Sequence, residues 1–131
     1  MEPANTVLFL CPHNAAKTVV AAAYWNRWAA ERAIPIRATS AGTEPSPAVS
    51  PAVVAALQSE GIDVAGHVPR RATEAELTGA WRVVSMGCAA DELPAVAAER
   101  WDDVPAKSED LPASLAAIAA HVRRLLGEVG R

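Results

Sequence analysis

Eight consecutive residues near the start of the chain, Cys11-Pro12-His13-Asn14-Ala15-Ala16-Lys17-Thr18, bring together a thiol, an imidazole, a carboxamide, an ammonium group and a hydroxyl. A thiol attacks as its thiolate, so a reactive cysteine needs positive charge or hydrogen-bond donors beside it. Lys17 carries the charge, Thr18 offers a hydroxyl hydrogen to the sulfur, and Asn14 is able to brace the loop through its side-chain amide. His13 has two readings: an imidazole that pairs with the thiolate or contacts an oxyanion, or a loop histidine directed at solvent.

The flanking residues say how such a loop would be held. Val7-Leu8-Phe9-Leu10 is a short apolar run, the pattern of a parallel strand covered on both faces. Val19 to Arg32 is alanine-rich, with helical composition. Strand, tight loop and helix therefore follow one another. Cys11 stands before a helix N-terminus, whose first amides lack internal partners and carry partial positive charge. An anion fits there, and the same field is expected to lower the cysteine's pKa.

The rest of the chain reads as the frame of an α/β sheet. Ile34 to Thr39 is a second strand, with Pro35 near its start as at an edge. Ser40-Ala41-Gly42-Thr43 then turns out at the rim where open α/β sheets bind their ligands, and Ser40 either touches the Cys11 loop or satisfies local backbone groups. A second helix over 51–60 has Ser50 placed as N-cap, Pro51 at its first position and Gly61 at its C-cap. Ile62-Asp63-Val64 is too short for more than a strand fragment. His67, Arg70 and Arg71 lie in a loop that borders the anion site or is simply a solvated basic stretch. Thr73-Glu74-Ala75-Glu76 is a capping box that opens a short helix ending near Gly79. Trp81 to Met86 is a strand, and Gly87-Cys88 leaves its end at the same rim. Val96 to Trp101 leads into a last short strand. Ser108-Glu109-Asp110 caps a closing helix whose core-facing stripe is Leu115, Ile118, Val122, Leu125 and Leu126. Tyr24, Trp25 and Trp28 of the first helix read as packing residues.

With 131 residues the chain makes one domain, 1–131, long enough to bury roughly two-thirds of its unfolded surface. A net charge of −3 argues against a nucleic-acid surface. No apolar run approaches the ~20 residues of a membrane span, and Met1 to Asn5 show no signal-peptide pattern. A cytoplasmic address is expected, where Cys11 and Cys88 read as reactive thiols in preference to a structural disulfide.

The Cys11–Thr18 segment resembles the Cys-x-x-Asn-x-x-Arg-Ser loop of the low-molecular-weight protein tyrosine phosphatase superfamily, which includes thioredoxin- or mycothiol-linked arsenate reductases. Lys17 stands in the arginine's place and Thr18 in the serine's. Ser40-Ala41-Gly42-Thr43-Glu44-Pro45, Gly61-Ile62-Asp63-Val64-Ala65-Gly66-His67, Val83-Val84-Ser85-Met86-Gly87-Cys88 and Trp101-Asp102-Asp103 are similar to the arsenate reductase branch in particular. The resemblance implies a three-layer, doubly wound α/β fold: a four-stranded parallel sheet with helices on both faces.

It also implies a mechanism. Cys11 attacks the phosphorus or arsenic of a small oxyanion, arsenate or phosphate. The anion is held by the loop of Pro12, His13, Asn14, Ala15, Ala16, Lys17 and Thr18, with Ser40 close by. Family members carry a general acid, an aspartate directly before proline, on the loop where this chain has Asp102 and Asp103. Asp103 is the expected donor and Asp102 the alternative, although Val104 separates both from Pro105. Cys88 stands where the resemblance puts a resolving cysteine, while Leu93-Pro94 occupies the place of a third relay cysteine. No bound cofactor and no metal are implied; relatives that bind potassium use an acidic residue where this first helix has Ala22. An external thiol completes the cycle: mycothiol with mycoredoxin, glutathione with glutaredoxin, or thioredoxin. The implied activity is arsenate reduction in arsenic resistance, by a monomer or weak dimer. A tyrosine-type phosphatase and a weakened oxyanion-binding or sensing relative are the alternatives, since Lys17 lacks the planar fork that grips two oxygens at once.

Overall fold

The computed structural model describes residues 6–87, 99–105 and 107–129. Cys88 and Leu93-Pro94 lie outside the described residues, as does the start of the 96–101 segment.

The apolar run near the N-terminus becomes the strand on which everything packs. In β1 (Thr6–Cys11), Val7, Leu8, Phe9 and Leu10 are each at most 1% exposed. β1 is paired on both edges, with β2 (Arg37–Gly42) and β3 (Arg82–Ser85), and β4 (Glu99–Arg100) extends the sheet beyond β3. All pairings are parallel, in the order β2-β1-β3-β4. Strand pleating sends alternate side chains to opposite faces. Val7 and Phe9 join a large cluster with α1 (Lys17–Glu31), α2 (Pro51–Ser59) and α4 (Lys107–Leu126). Leu8 and Leu10 join a smaller one with Ala41, Val83 and Leu77 of α3 (Glu74–Gly79). The four-stranded parallel sheet with helices on both faces is the architecture the sequence implies. Because successive strands lie on opposite sides of β1, a crevice opens at the carboxyl ends of the strands, where such sheets hold ligands.

The second strand departs from its sequence pattern. It starts at Arg37 and runs on through Ser40 and Ala41, which pair with Phe9 and Leu10. Ser-Ala-Gly has little intrinsic strand preference, so the pairing with β1 overrides propensity here. On the outer side of β2, the Asn26 carboxamide of α1 both donates to the Ala38 carbonyl (3.1 Å) and accepts from the Ala38 amide (2.8 Å). Residues 62–64 form no strand.

Helix ends follow local chemistry closely. α2 starts at Pro51 and the chain leaves it through Gly61 at φ +80°, a left-handed position that suits glycine. Ser50 makes no side-chain cap bond; instead its amide donates to the Ala15 carbonyl. The α3 capping box is complete in both directions. α4 is broken at Asp110 (φ −162°, ψ 93°), whose carboxylate accepts from the Ala113 amide at 3.0 Å and so caps the segment that follows. Ile118, Val122, Leu125 and Leu126 are its buried stripe, while Leu115 is only partly covered. The aromatics of α1 pack: Tyr24 stacks on Trp28 with centroids 4.9 Å apart, and the Trp25 indole donates to the Ile36 carbonyl at 2.8 Å. Among the described residues no helix is long and apolar enough to cross a membrane. Replacing Asp110 by Ala is expected to lower stability by about 1 kcal/mol, read as a lower urea midpoint at unchanged slope.

Candidate active site

Cys11 ends β1, 6% exposed, and Lys17 begins α1, so the loop between them spans five residues. That loop is gripped from outside. The carbonyls of Pro12, His13 and Ala15 accept from the amides of Glu44 (2.7 Å), Ser46 (2.9 Å) and Ser50 (2.8 Å). In a trans peptide the N–H runs antiparallel to the C=O, so the amides of His13, Asn14 and Ala16 point away from the 44–50 segment. Gly42 makes the grip possible, because a Cβ there would stand 2.6 Å from the Pro12 carbonyl oxygen.

Asn14 is the centre of the loop, fully buried and left-handed at φ +51°. Its Nδ2 donates to Thr18 Oγ1 at 3.0 Å, and its Oδ1 accepts from the Arg70 amide (3.1 Å) and from His67 Nε2 (3.0 Å). Thr18 Oγ1 lies 3.2 Å from Cys11 Sγ. That oxygen accepts from Asn14, and its own hydrogen is able to go to the sulfur once the sulfur is a thiolate, which cannot donate. Burial, aided by the Arg70 charge, holds the His67 pKa below its ordinary value, which favours a neutral ring donating to Asn14. Arg70 is paired with Glu76, whose pKa its hydrogen bond pulls down to about 2. Because Glu76 also closes the Thr73 capping box, α3 is tied to the segment that braces Asn14. Ser40, buried in β2 opposite Phe9, lines a groove of about 890 Å³ with Asp63, His67 and Arg70.

His13 is exposed, and its Nδ1 donates to the Glu44 carbonyl at 3.1 Å. Its Nδ1 is thus taken up in the loop's own grip on the 44–46 turn. Lys17 Nζ donates to the Val104 carbonyl at 3.2 Å, joining the start of α1 to the loop that carries both aspartates. Val104 is buried, while Asp102 and Asp103 are exposed. Asp102 pairs with Arg100 at 3.0 Å, and Asp103 Oδ1 accepts from His121 Nε2 at 2.9 Å. That hydrogen bond holds the Asp103 carboxyl below the usual carboxylate range. The structure thus brings Cys11, Asn14, Lys17 and Thr18 together and links them to the 101–105 loop. Both carboxylates are engaged by basic partners.

The sequence set His67 and Arg70 in a loop beside the anion site or in solvent without giving them a partner, and it gave His121 no role. His67 and Arg70 reach Asn14 across more than fifty positions of sequence, and His121 lies in no motif. The demand of a buried carboxamide for partners is the clue that points to the first pair. Among the described residues no three His, Cys, Asp or Glu side chains gather as a metal would require.

The profile of the low molecular weight phosphotyrosine protein phosphatases matches residues 6–109, and the chain belongs to that family. No curated protein matches the sequence. Among solved structures, the arsenate reductase of Archaeoglobus fulgidus DSM 4304 is 30% identical, with a TM-score of 0.79 over 93% of this chain and 99% of that one. The thioredoxin-dependent arsenate reductase of Corynebacterium glutamicum is 23% identical at TM-score 0.81 over 96% of this chain; the chain spans 62% of that protein's length. The low molecular weight protein tyrosine phosphatase of T. tengcongensis is 21% identical at TM-score 0.73, covering 95% and 99%. Family and neighbours are enzymes of two kinds, phosphatases and arsenate reductases.

Asn14→Ala is expected to be less stable than Asn14→Gly by about 1–2 kcal/mol, since both lose the carboxamide but only alanine bears the left-handed strain; urea unfolding measures it. For Glu76 the folded pKa, about 2, lies below the ordinary 4.5, so its contribution is present above pH 4.5 and lost as pH falls toward 2. The stability gap between the wild type and Glu76→Gln should accordingly close over that interval in acid titrations.

Proposed function

We propose that this protein is a cytoplasmic thiol-dependent enzyme acting on tetrahedral oxyanions, with arsenate reduction as its reaction. The observation that carries the reading is the hydrogen-bond chain from Asn14 through Thr18 to Cys11 Sγ, which aims a hydroxyl hydrogen at a sulfur set before a helix N-terminus. The likeness to the Archaeoglobus arsenate reductase supports arsenate over a phosphoester.

In this reading Cys11 attacks arsenic, and the amides of His13, Asn14 and Ala16 receive the anion's oxygens. Lys17 has three donor hydrogens. It is able to keep one on Val104 and turn another to the anion. As the sulfur–arsenic bond forms, an arsenate oxygen leaves as water, taking a proton from Asp103. A second thiol, from Cys88 or from outside, then attacks the sulfur of the adduct. Arsenite departs with the bonding electron pair, and the two thiols end as a disulfide. Mycothiol with mycoredoxin, glutathione with glutaredoxin, or thioredoxin supplies the two electrons that reset it.

The test is to follow arsenate consumption and p-nitrophenyl phosphate hydrolysis side by side, with each reductant supplied separately. Arsenate consumption is expected with at least one of them, abolished in Cys11→Ser and reduced in Cys88→Ser. In Lys17→Ala, kcat/KM is expected to drop on the order of 10²-fold, as for loss of one oxyanion donor. Hydrolysis without arsenate consumption would make the protein a phosphatase. Oxyanion binding with neither turnover would make it a sensing relative.

A further inference from the structure

We infer that His121 is a positioning residue for the proposed acid: it holds the Asp103 carboxyl ionised and turned outward, and so sets the pH above which the first chemical step fails. This rests on Asp103 being the proton donor.

Both nitrogens of the His121 ring are committed. Nε2 lies 2.9 Å from Asp103 Oδ1, and Nδ1 lies 3.3 Å from a guanidinium nitrogen of Arg124. A guanidinium only donates, so Nδ1 must offer its lone pair and the ring proton must sit on Nε2, facing the carboxylate. A doubly protonated ring would set an Nδ1–H against an Arg124 N–H. Arg124 has little freedom to yield, because it bridges Glu99 (2.6 Å) and Glu128 (2.9 Å). Glu99 in turn accepts from the Trp101 indole. The imidazole itself lies flat on Trp101, with centroids 4.6 Å apart and planes at 14°, and Trp101 is 1% exposed. The ring is thereby clamped between a core aromatic and a fixed cation.

Asp103, by contrast, is held by little else. Its side chain is 72% exposed, against 22% for His121. The other charged groups around the loop are spoken for: Arg100 pairs with Asp102, and Lys17 donates to the Val104 carbonyl. Without the His121 contact the carboxyl would keep only the smaller influences of its own backbone N–H and the Arg124 charge, and would be freer to change rotamer. The lowering of the Asp103 pKa, whose largest cause is the His121 hydrogen bond, agrees with this geometry.

The consequence concerns the step in which a Cys11 sulfur–arsenic bond forms and an arsenic–oxygen bond breaks, and the equivalent step on a phosphate ester, where a sulfur–phosphorus bond forms and the phosphorus–oxygen bond to the leaving group breaks. The leaving oxygen keeps the electron pair and takes the Asp103 proton, which leaves a carboxylate to which His121 Nε2–H donates. A general acid must be protonated beforehand, so kcat/KM falls as pH rises through its pKa. By favouring the ionised form, His121 moves that fall to lower pH.

The experiment records kcat/KM against pH for phenyl phosphate, whose departing phenoxide needs a proton, in wild type, His121→Phe, His121→Gln and Asp103→Asn. Phenylalanine keeps a ring on Trp101 and removes both nitrogens; glutamine returns an N–H near the Nε2 position. The descending limb is expected to move to higher pH in His121→Phe, with kcat/KM raised several-fold at neutral pH, and to move back in His121→Gln. A uniform loss at every pH, or a limb that stays in place, overturns the proposal. A limb that persists in Asp103→Asn overturns instead the assignment of Asp103 as the acid. Should turnover be too slow to measure, ¹³C NMR titration of the Asp103 carboxyl decides: a higher pKa in His121→Phe than in wild type supports the proposal, and equal values refute it.

Discussion

A residue other than glycine in the left-handed region carries a strain on the order of 1 kcal/mol, and the loop between Cys11 and Lys17 places such a residue, Asn14, at its centre. What offsets the strain is the carboxamide. It is fully buried, yet its three recorded hydrogen bonds come from α1, from His67 and from the Arg70 backbone. An unpartnered buried amide would cost more than the strain does, so the chain around it has one acceptable arrangement. That arrangement orients the Thr18 hydroxyl and turns the loop's carbonyls outward to Glu44, Ser46 and Ser50. Loop shape and sulfur environment thus follow from a single polar side chain closed off from water.

The second anchor is a single charge-assisted hydrogen bond. Lys17 touches the loop of Asp102 and Asp103 through the Val104 carbonyl, and the residue that separates Asp103 from Pro105 is buried. The extra residue therefore serves as a plug: its side chain fills the core while its carbonyl meets the ammonium. An arginine's fixed fork is made for two oxygens at once, whereas an ammonium on a flexible stem divides its hydrogens among unlike acceptors. Here one of those hydrogens goes to the Val104 carbonyl.

Much of this was legible in the sequence. β1 announced itself because a strand buried on both faces must be apolar throughout, and Pro51, Gly61 and the Thr73 box mark helix ends by conformations and hydrogen bonds that few other residues provide. Ser40 and Ala41 were less visible as strand residues, because small side chains carry little propensity and their pairing with Phe9 and Leu10 is a tertiary fact. The Cys11–Thr18 contact was legible from residue types, a hydroxyl able to donate to a thiol, and it runs from the end of β1 to the second residue of α1. The partners of Asn14 and Asp103 were not, since His67, Arg70 and His121 arrive from distant segments that no local pattern connects.

β2 is an outer strand of the sheet, and a bare outer strand invites another chain to add itself along the exposed backbone. Asn26 occupies both backbone groups of Ala38, standing in for the missing neighbour by means of one side chain. Farther along, Gly42 is bridged by Arg70 and Ala72 through its amide and carbonyl. The opposite border, β4, is two residues long. Along β2, the backbone groups of Ala38 and Gly42 are thus already taken within the chain, which leaves a shorter stretch of free edge for a neighbouring strand to follow.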